Sequence, residues 1–455
     1  MKILIAGTSK VGLEVINILK NIEDYELILI DNSEQTISSN TDNSSIIGIV
    51  GEINDFQTYE DLDIEDIDCF LALSDSTNDN IMACNIAKYY NLHNIVILVS
   101  EIKYYYSQWN KYLLNNGYKV IEYHSHLCNN FNQAITSNNN NILGDVYNIN
   151  ANQDYKIITF KCTKCSEENI KALTASLSLI DAKIIGYYTN NNIIFDSSDI
   201  NNEEDKYIEI IILVPANNYM QLYMILFGEF TVEANNIDYL IIEGDSYDSI
   251  IHLSNYLSKN NSNLSVSVYI EDRKLADKVS SYQDWNNLNI NIINQSFIFT
   301  YSNSDNIGII YIYEDIADTV FKSLSNKNNN IKTMAYINDH KYLNITSKLE
   351  NITPIIPNDS ILNEIISHIF QPFISDFTIL KGTLCIVTID IAEGSFFYNK
   401  RFNVMKLPFG IQLLSLIDNE NNLYLVGEYQ DRIQAGNKLI LLINTEVVKR
   451  LFKYL

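Results

Sequence analysis

The chain opens Met1-Lys2-Ile3-Leu4-Ile5-Ala6-Gly7-Thr8-Ser9-Lys10-Val11-Gly12. Lys2 to Ala6 has strand length with no polar alternation beyond Lys2, and Gly7 to Gly12 turns it into a helical pattern carried by Val11, Val15, Ile16, Ile18 and Leu19. An unbroken apolar strand is buried on both faces, the habit of parallel sheets covered by helices. Working outward, Tyr25 to Ile30 ends at Asp31, Ile46 to Val50 ends at Gly51-Glu52, and Cys69 to Leu73 ends at Ser74-Asp75. A helical pattern through Ile81, Cys84 and Ala87 then leads to Ile95 to Val99. Strands alternating with helices predict an α/β fold, a doubly wound parallel sheet of the Rossmann type.

Residues 104 to 136 read as helices, and the Asn-rich stretch from Asn138 to Gly144 reads as loop. From Tyr155 the texture changes to Tyr155 to Cys162, a helix around Glu167 to Leu177, a hairpin of Ala182 to Thr189 with Ile193 to Phe195, the charged loop Asn201 to Lys206, and Ile208 to Val214. This is a small α+β module. Near residue 237 the pattern restarts. Ile237 to Ile242 with Glu243-Gly244-Asp245 mirrors the opening, Leu264 to Ile270 with Glu271 mirrors the strand ending at Asp31, and Gly308 to Ile312 mirrors Phe70 to Asp75. Gly7 and Gly244 are 237 positions apart, and Asp31 and Glu271 are 240 apart. A second small module follows through Thr383 to Ile389, Ile411 to Ile417, Leu423 to Val426 and Lys438 to Ile443. The pattern is a tandem duplication of a two-module unit: Rossmann domains over 1–120 and 236–353, α+β C-terminal domains over 140–228 and 370–455.

At 455 residues, 47% hydrophobic and 19% charged, the chain has material for several cores and is neither disordered nor fibrous in composition. Acidic residues outnumber basic ones 56 to 31, a net charge of −25, so the counterion term that drives nucleic-acid binding is repulsive on average and no such partner is expected. No apolar run approaches the roughly 18 to 20 residues that span a bilayer, which places the chain in the cytosol as an expectation. Cys69, Cys84, Cys128, Cys162, Cys165 and Cys385 are too few for a disulfide framework in a chain this long. The only arginines are Arg273, Arg401, Arg432 and Arg450, so an anion site in the first 272 residues must use backbone amides or lysine.

A glycine-rich turn from strand to helix binds a pyrophosphate because backbone amides and the positive end of the helix dipole converge there. An acidic residue ending the second strand, here Asp31, then accepts hydrogen bonds from ribose hydroxyls. Ser9 stands where the motif's middle glycine would be, which hinders the closest approach to the phosphates. In the second copy, Glu243-Gly244-Asp245-Ser246-Tyr247-Asp248 sets three carboxylates where a phosphate would sit. Like charges a few ångströms apart cost on the order of 1 kcal/mol even in water, so no nucleotide is expected there.

Gly7 to Gly12, Asp31, Gly51-Glu52 and the run from Asp68 to Cys84 resemble the regulator-of-potassium-conductance (RCK, or KTN) domain. The duplicated layout resembles the regulatory subunits of Trk-type potassium uptake systems. The resemblance implies a homo-oligomeric ring that binds a nucleotide and gates a membrane potassium-translocating subunit of Trk type, peripheral at the inner face of the plasma membrane. NAD or NADH is the implied cofactor, with ATP or ADP as the alternative. Carried onto matching positions, the ligand touches Gly7, Thr8, Ser9, Lys10, Val11, Gly12, Asp31, Glu52, Ser74 and Asp75. Such domains often place arginine on the fifth strand, whereas Ile95 to Ile102 has neither arginine nor lysine, leaving Lys10 as the nearby cation.

Other signals read as structural. Cys162-Thr163-Lys164-Cys165 lacks the second pair or spaced histidines of a zinc site. His124-Ser125-His126-Leu127-Cys128 reads as a solvated helix start, and Asp245, Asp248 and the Asp61 to Asp68 run as a solvated acidic face. The segment with Tyr104, Tyr105, Tyr106, Trp109, Tyr112 and Leu113 is aromatic on more than one face, suiting either burial against another subunit as well as its own sheet or ordinary core packing. No nucleophile or acid/base constellation is evident, so no catalysis is expected. Two other readings stand beside the sensor: a structural ring subunit whose nucleotide sites have decayed, and an NAD-dependent oxidoreductase, which would need a catalytic domain where the second half instead repeats the first.

Overall fold

The computed structural model describes residues 1–20, 25–41, 46–60, 62, 64–105, 108–136, 143–148, 155–162, 167–189, 192–194, 208–218, 221–222, 225–226, 237–260, 264–281, 290–293, 307–325, 331–338, 342, 352–370, 374–380, 384–402, 405, 407, 410–420, 422–426, 429–444 and 451. Strands β1 (Lys2–Ala6), β2 (Glu26–Asp31), β3 (Ile46–Val50), β4 (Cys69–Ala72), β5 (Ile95–Val99) and β6 (Lys119–Glu122) form a parallel sheet in the order β3-β2-β1-β4-β5-β6. Strands β7 (Leu143–Asn148), β8 (Tyr155–Cys162), β9 (Lys183–Thr189), β10 (Asn192–Ile194) and β11 (Ile208–Pro215) form an antiparallel sheet in the order β7-β8-β11-β9-β10.

Both arrangements recur. Strands β12 (Tyr239–Gly244), β13 (Ser265–Tyr269), β14 (Ile290–Ile293), β15 (Ile307–Ile312), β16 (Lys332–Tyr336) and β17 (Ile352–Ile355) are ordered β14-β13-β12-β15-β16-β17. Strands β18 (Ile374–Ile379), β19 (Leu384–Asp390), β20 (Ile411–Ile417), β21 (Leu423–Leu425) and β22 (Lys438–Asn444) are ordered β18-β19-β22-β20-β21. Position for position, each sheet of the second half repeats the strand order of its counterpart. The duplication read from the sequence is therefore present at the level of topology, with doubly wound parallel sheets and small antiparallel sheets as expected.

The chain divides into two compact units, Met1–Asn138 with Asn235–Ile365, and Asn139–Ala234 with Ile366–Leu455. In the first unit, Ile3, Leu4, Ile5 and Ala6 are all fully buried, because helices cover both faces of the sheet. In the second unit, Ile157, Ile185, Ile211 and Leu213 of one antiparallel sheet share a core with Ile386, Leu414, Ile440 and Leu442 of the other. Each such aliphatic side chain contributes roughly 1.5–3 kcal/mol when withdrawn from water.

The structure corrects several local expectations. The stretch 104–136 is not all helix: β6 lies inside it, pairing in parallel with β5. Four residues, of which only Ile121 is fully buried, are too few to display a period. β7 occupies part of the stretch read as loop, as an edge strand that among the described residues pairs with β8 alone. β14, β16, β17 and β18 were likewise not legible, and Pro354 sits in β17, an edge strand where a missing N–H is tolerated.

The helix Tyr123–Thr136 is not solvated at its start. Leu127, Cys128 and Phe131 are fully buried and share a core with Leu240, Ile250 and Val266 of the second repeat. Cys69, Cys84, Cys128 and Cys385 are buried free thiols. The side chains of the Cys162–Cys165 pair, the Asn138–Asn141 stretch, Tyr106 and the Asn201–Lys206 loop lie outside the described residues. Among the described residues no helix is long and apolar enough to cross a membrane.

Candidate nucleotide site

At the carboxyl edge of the first sheet, Gly7 leaves β1 with φ +92°. A Cβ there would stand 2.5 Å from Ser74 Cβ and 2.6 Å from Ser74 N, so the turn after β1 touches the turn after β4 and admits only glycine. A Cβ on Gly12 would lie 2.8 Å from the Gly7 carbonyl oxygen, which ties the helix Lys10–Leu19 to the strand end.

Ser9 caps that helix: its Oγ accepts the Gly12 amide at 3.2 Å. The other loop amides are also largely engaged. Gly7 N–H donates to Ile30 O at 2.8 Å, Thr8 N–H to Asp31 Oδ2 at 3.0 Å, and Ser9 N–H to Leu73 O at 3.2 Å. The amides of Lys10 and Val11, in the first turn, have no intrahelical acceptor, as helix geometry dictates. The serine that reads as a defect in a glycine motif is thus an N-cap, a signal its position just before an apolar helical pattern carries.

Asp31 does double duty. Its Oδ2 accepts from the Thr8 amide and hydroxyl, and its Oδ1 from the Ser33 amide at 2.9 Å. Glu52 reaches the same edge, where Asn32 Nδ2 donates to its Oε1 at 3.3 Å. Burial pushes the Asp75 carboxyl up, Lys10 draws it down and neighbouring Asp31 adds to the rise. Thr8, Lys10, Asp31 and Asp75 therefore converge on one cleft, whereas Val11 points into the core at 3% exposure.

Asn80 escaped the sequence reading. It is fully buried, its Oδ1 accepts the Ser74 amide at 2.9 Å, and its Nδ2 donates to the carbonyls of Ser74 and Leu98, each at 2.9 Å. An amide at a core-facing position of the helix Thr77–Tyr89 was the available sign.

The second cleft is built differently. A Cβ on Gly244 would sit 1.9 Å from Ile312 O, closing the strand ends tightly. Glu243 is turned inward rather than toward solvent: it is 8% exposed and accepts from Tyr313 OH at 2.8 Å. Burial pushes its carboxyl up, and Tyr313 and Lys322 hold that rise in check. Lys322 Nζ stands 2.5 Å from Glu271 Oε1 and 3.6 Å from Glu243 Oε1, spanning the ends of β13 and β12. Asp245 Oδ1 accepts the Glu314 amide at 2.7 Å. A lysine of this chain thus lies between Glu271, the counterpart of Asp31, and Glu243, which precedes the turn glycine where the first repeat has Ala6.

The fold defines a duplicated chain of Rossmann-type sheets, each followed by a small antiparallel sheet. Residues 3–124 match the family model of the TrkA-N domain. A Trk system potassium uptake protein TrkA homolog of Methanothermobacter thermautotrophicus (strain Delta H) is 27% identical over 101 residues, which cover 22% of this chain and 46% of that protein. The match thus spans under half of that relative's length. Among solved structures, the GsuK channel bound to NAD is similar over 100% of this chain and 78% of its own, with a TM-score of 0.54 and 11% identity. The GsuK RCK domain is similar over 99% of this chain and 94% of its own, with a TM-score of 0.51 and 11% identity. The resemblance to RCK domains read from the sequence is met by these matches, and the chain has the RCK fold.

Proposed function

We propose that this chain is a nucleotide-sensing regulatory subunit, without catalysis of its own, that gates a membrane potassium-translocating partner of Trk type. The observation that carries the reading is the contrast between the clefts: the first gathers Thr8, Lys10, Asp31 and Asp75 around an amide-bearing helix opening, and the second is filled by Lys322. Lys10 and Val11 would offer amides and an ammonium group to phosphates, and Asp31, with Glu52 beside it, would accept from ribose hydroxyls. Ser74 and Asp75 close the opposite side. NAD or NADH is the ligand of first choice, ATP or ADP the alternative.

A ligand changes the state of the chain only through different affinity for its states, so binding in the first cleft must favour one arrangement of the two repeats. Self-association into a ring follows the resemblance, and the 45% exposed Trp109 and 40% exposed Tyr112 suit a contact between copies. A structural ring subunit with decayed sites is the competing reading, favoured by the loop amides that already have acceptors.

Thermal-shift titration with NAD, NADH, ATP and ADP decides between them. A ligand at about 100 times its Kd stabilises by about 2.7 kcal/mol. Stabilisation that is lost in Gly12→Asp supports the sensor; no response to any of the four removes it. Copurification with a membrane potassium transporter tests the partner.

A further inference from the structure

Lys10, the cation at the first cleft, is held by the other repeat. Its Nζ donates to Asn338 Oδ1 at 3.0 Å, across 328 positions of sequence. Asn338 lies just beyond β16, and its side chain also hydrogen-bonds Tyr336, whose hydroxyl meets that of Tyr123 from the first repeat. Burial, Tyr123, Asn338 and Asp75 all act on the Tyr336 hydroxyl, so this corner of the second repeat abuts the first cleft.

We propose that Lys10 is shared between two exclusive partners: Asn338 when the first cleft is empty, and a nucleotide phosphate when it is filled. The proposal rests on the nucleotide reading above and adds its coupling to the second repeat. A phosphate oxygen carries a full negative charge that the Asn338 amide oxygen lacks, so the ammonium gains a direct charge–charge attraction and phosphate takes Lys10 from Asn338. Occupancy of the first cleft then releases one contact between the repeats. By reciprocity, anything that tightens the Lys10–Asn338 contact weakens the nucleotide.

The test is calorimetric titration of the full chain with ADP and, separately, NADH, comparing the parent with Asn338→Ala, Asn338→Asp, Lys10→Met and Lys10→Met/Asn338→Asp. Asn338→Asp turns the contact into an ion pair and weakens binding by roughly tenfold, while Asn338→Ala removes the competitor and strengthens it by roughly threefold. In the Lys10→Met background the residue at 338 ceases to matter, which a merely structural role of Asn338 would not produce. Melting curves of each variant show that it is folded. Binding by the parent with affinities unchanged within about twofold in both Asn338 variants overturns this proposal alone. Absence of binding by the parent overturns both it and the nucleotide reading.

Discussion

His126 Nδ1 lies 3.1 Å from Ser360 Oγ, and each is the fourth residue of the helix that closes its repeat, Tyr123–Thr136 and Pro357–Ile369. Contact between equivalent positions marks a local two-fold relation between the repeats, as in an isologous dimer. The second residues of the same helices agree. His124 Nε2 meets Ser249 Oγ at 3.2 Å, and Asn358 Nδ2 donates to Glu14 Oε1 at 3.5 Å, so each closing helix reaches the first helix of the other repeat. The repeats are thus a dimer within one chain. Burial and neighbouring His252 hold His124 down to about 3, keeping it neutral inside that junction.

Glu364 anchors the same junction at 2.5 Å from Lys119 and 2.9 Å from His126. Burial pushes its carboxyl up, but the bonds from His126 and Lys119 prevail and hold it at about 2. A carboxyl lowered in the folded state stabilises above its unfolded value near 4.5, and that contribution fades as pH falls toward 2. With a third of the side chain exposed, Glu364→Gln is expected to destabilise by about 1–2 kcal/mol at pH 7. Urea unfolding at pH 7 and pH 3 checks this; a parent–variant gap equally wide at both would overturn it.

Lys332 donates from its Nζ to the Ala134 carbonyl near the end of the helix Tyr123–Thr136, and burial lowers it to about 8. Its unfolded value is higher, so the folded chain holds fewer protons between about 8 and 10.5, and stability attributable to Lys332 rises across that window. Melting parent and Lys332→Met from pH 7 to 10 should show the parent gaining on the variant by on the order of 2 kcal/mol. A constant difference would mean that the ammonium is not buried as described.

Three glycines give a graded stability series. Gly117 has φ +79° and open space around it, so alanine costs only the backbone penalty, about 1 kcal/mol. Gly7→Ala adds the collision with Ser74, for a loss of about 3 kcal/mol. Gly244→Ala drives a methyl into Ile312 O and should lose most, with the second repeat unfolding first. Melting temperatures that do not fall in this order contradict the close approaches at the strand ends.

In the second cleft, Lys322→Met leaves Glu243 buried without its cation and should cost about 2–3 kcal/mol. Adding Glu243→Gln should restore much of that loss, giving a coupling energy above about 1 kcal/mol. Additive losses in a double-mutant cycle would show that Lys322 and Glu243 do not form one network.

The apolar runs at Ile3 to Ala6, Leu27 to Ile30 and Ile95 to Val99 announced a parallel sheet, since strands shielded on both sides need no polar alternation. Gly7 and Gly244 announced the two turns, because no other residue clears the neighbouring strand end. Short edge strands such as β6 and β7 were silent, having too few residues to carry a period.

The acceptors of the loop amides, the Lys322 bridge, the burial of His124 and the Lys10–Asn338 contact were decided only by tertiary structure. Local pattern records which face of an element is apolar. It holds no record of which polar group arrives at a cleft from elsewhere in the chain, Asn338 at Lys10 in the first and Lys322 at Glu271 in the second, because those meetings are set by how the elements pack.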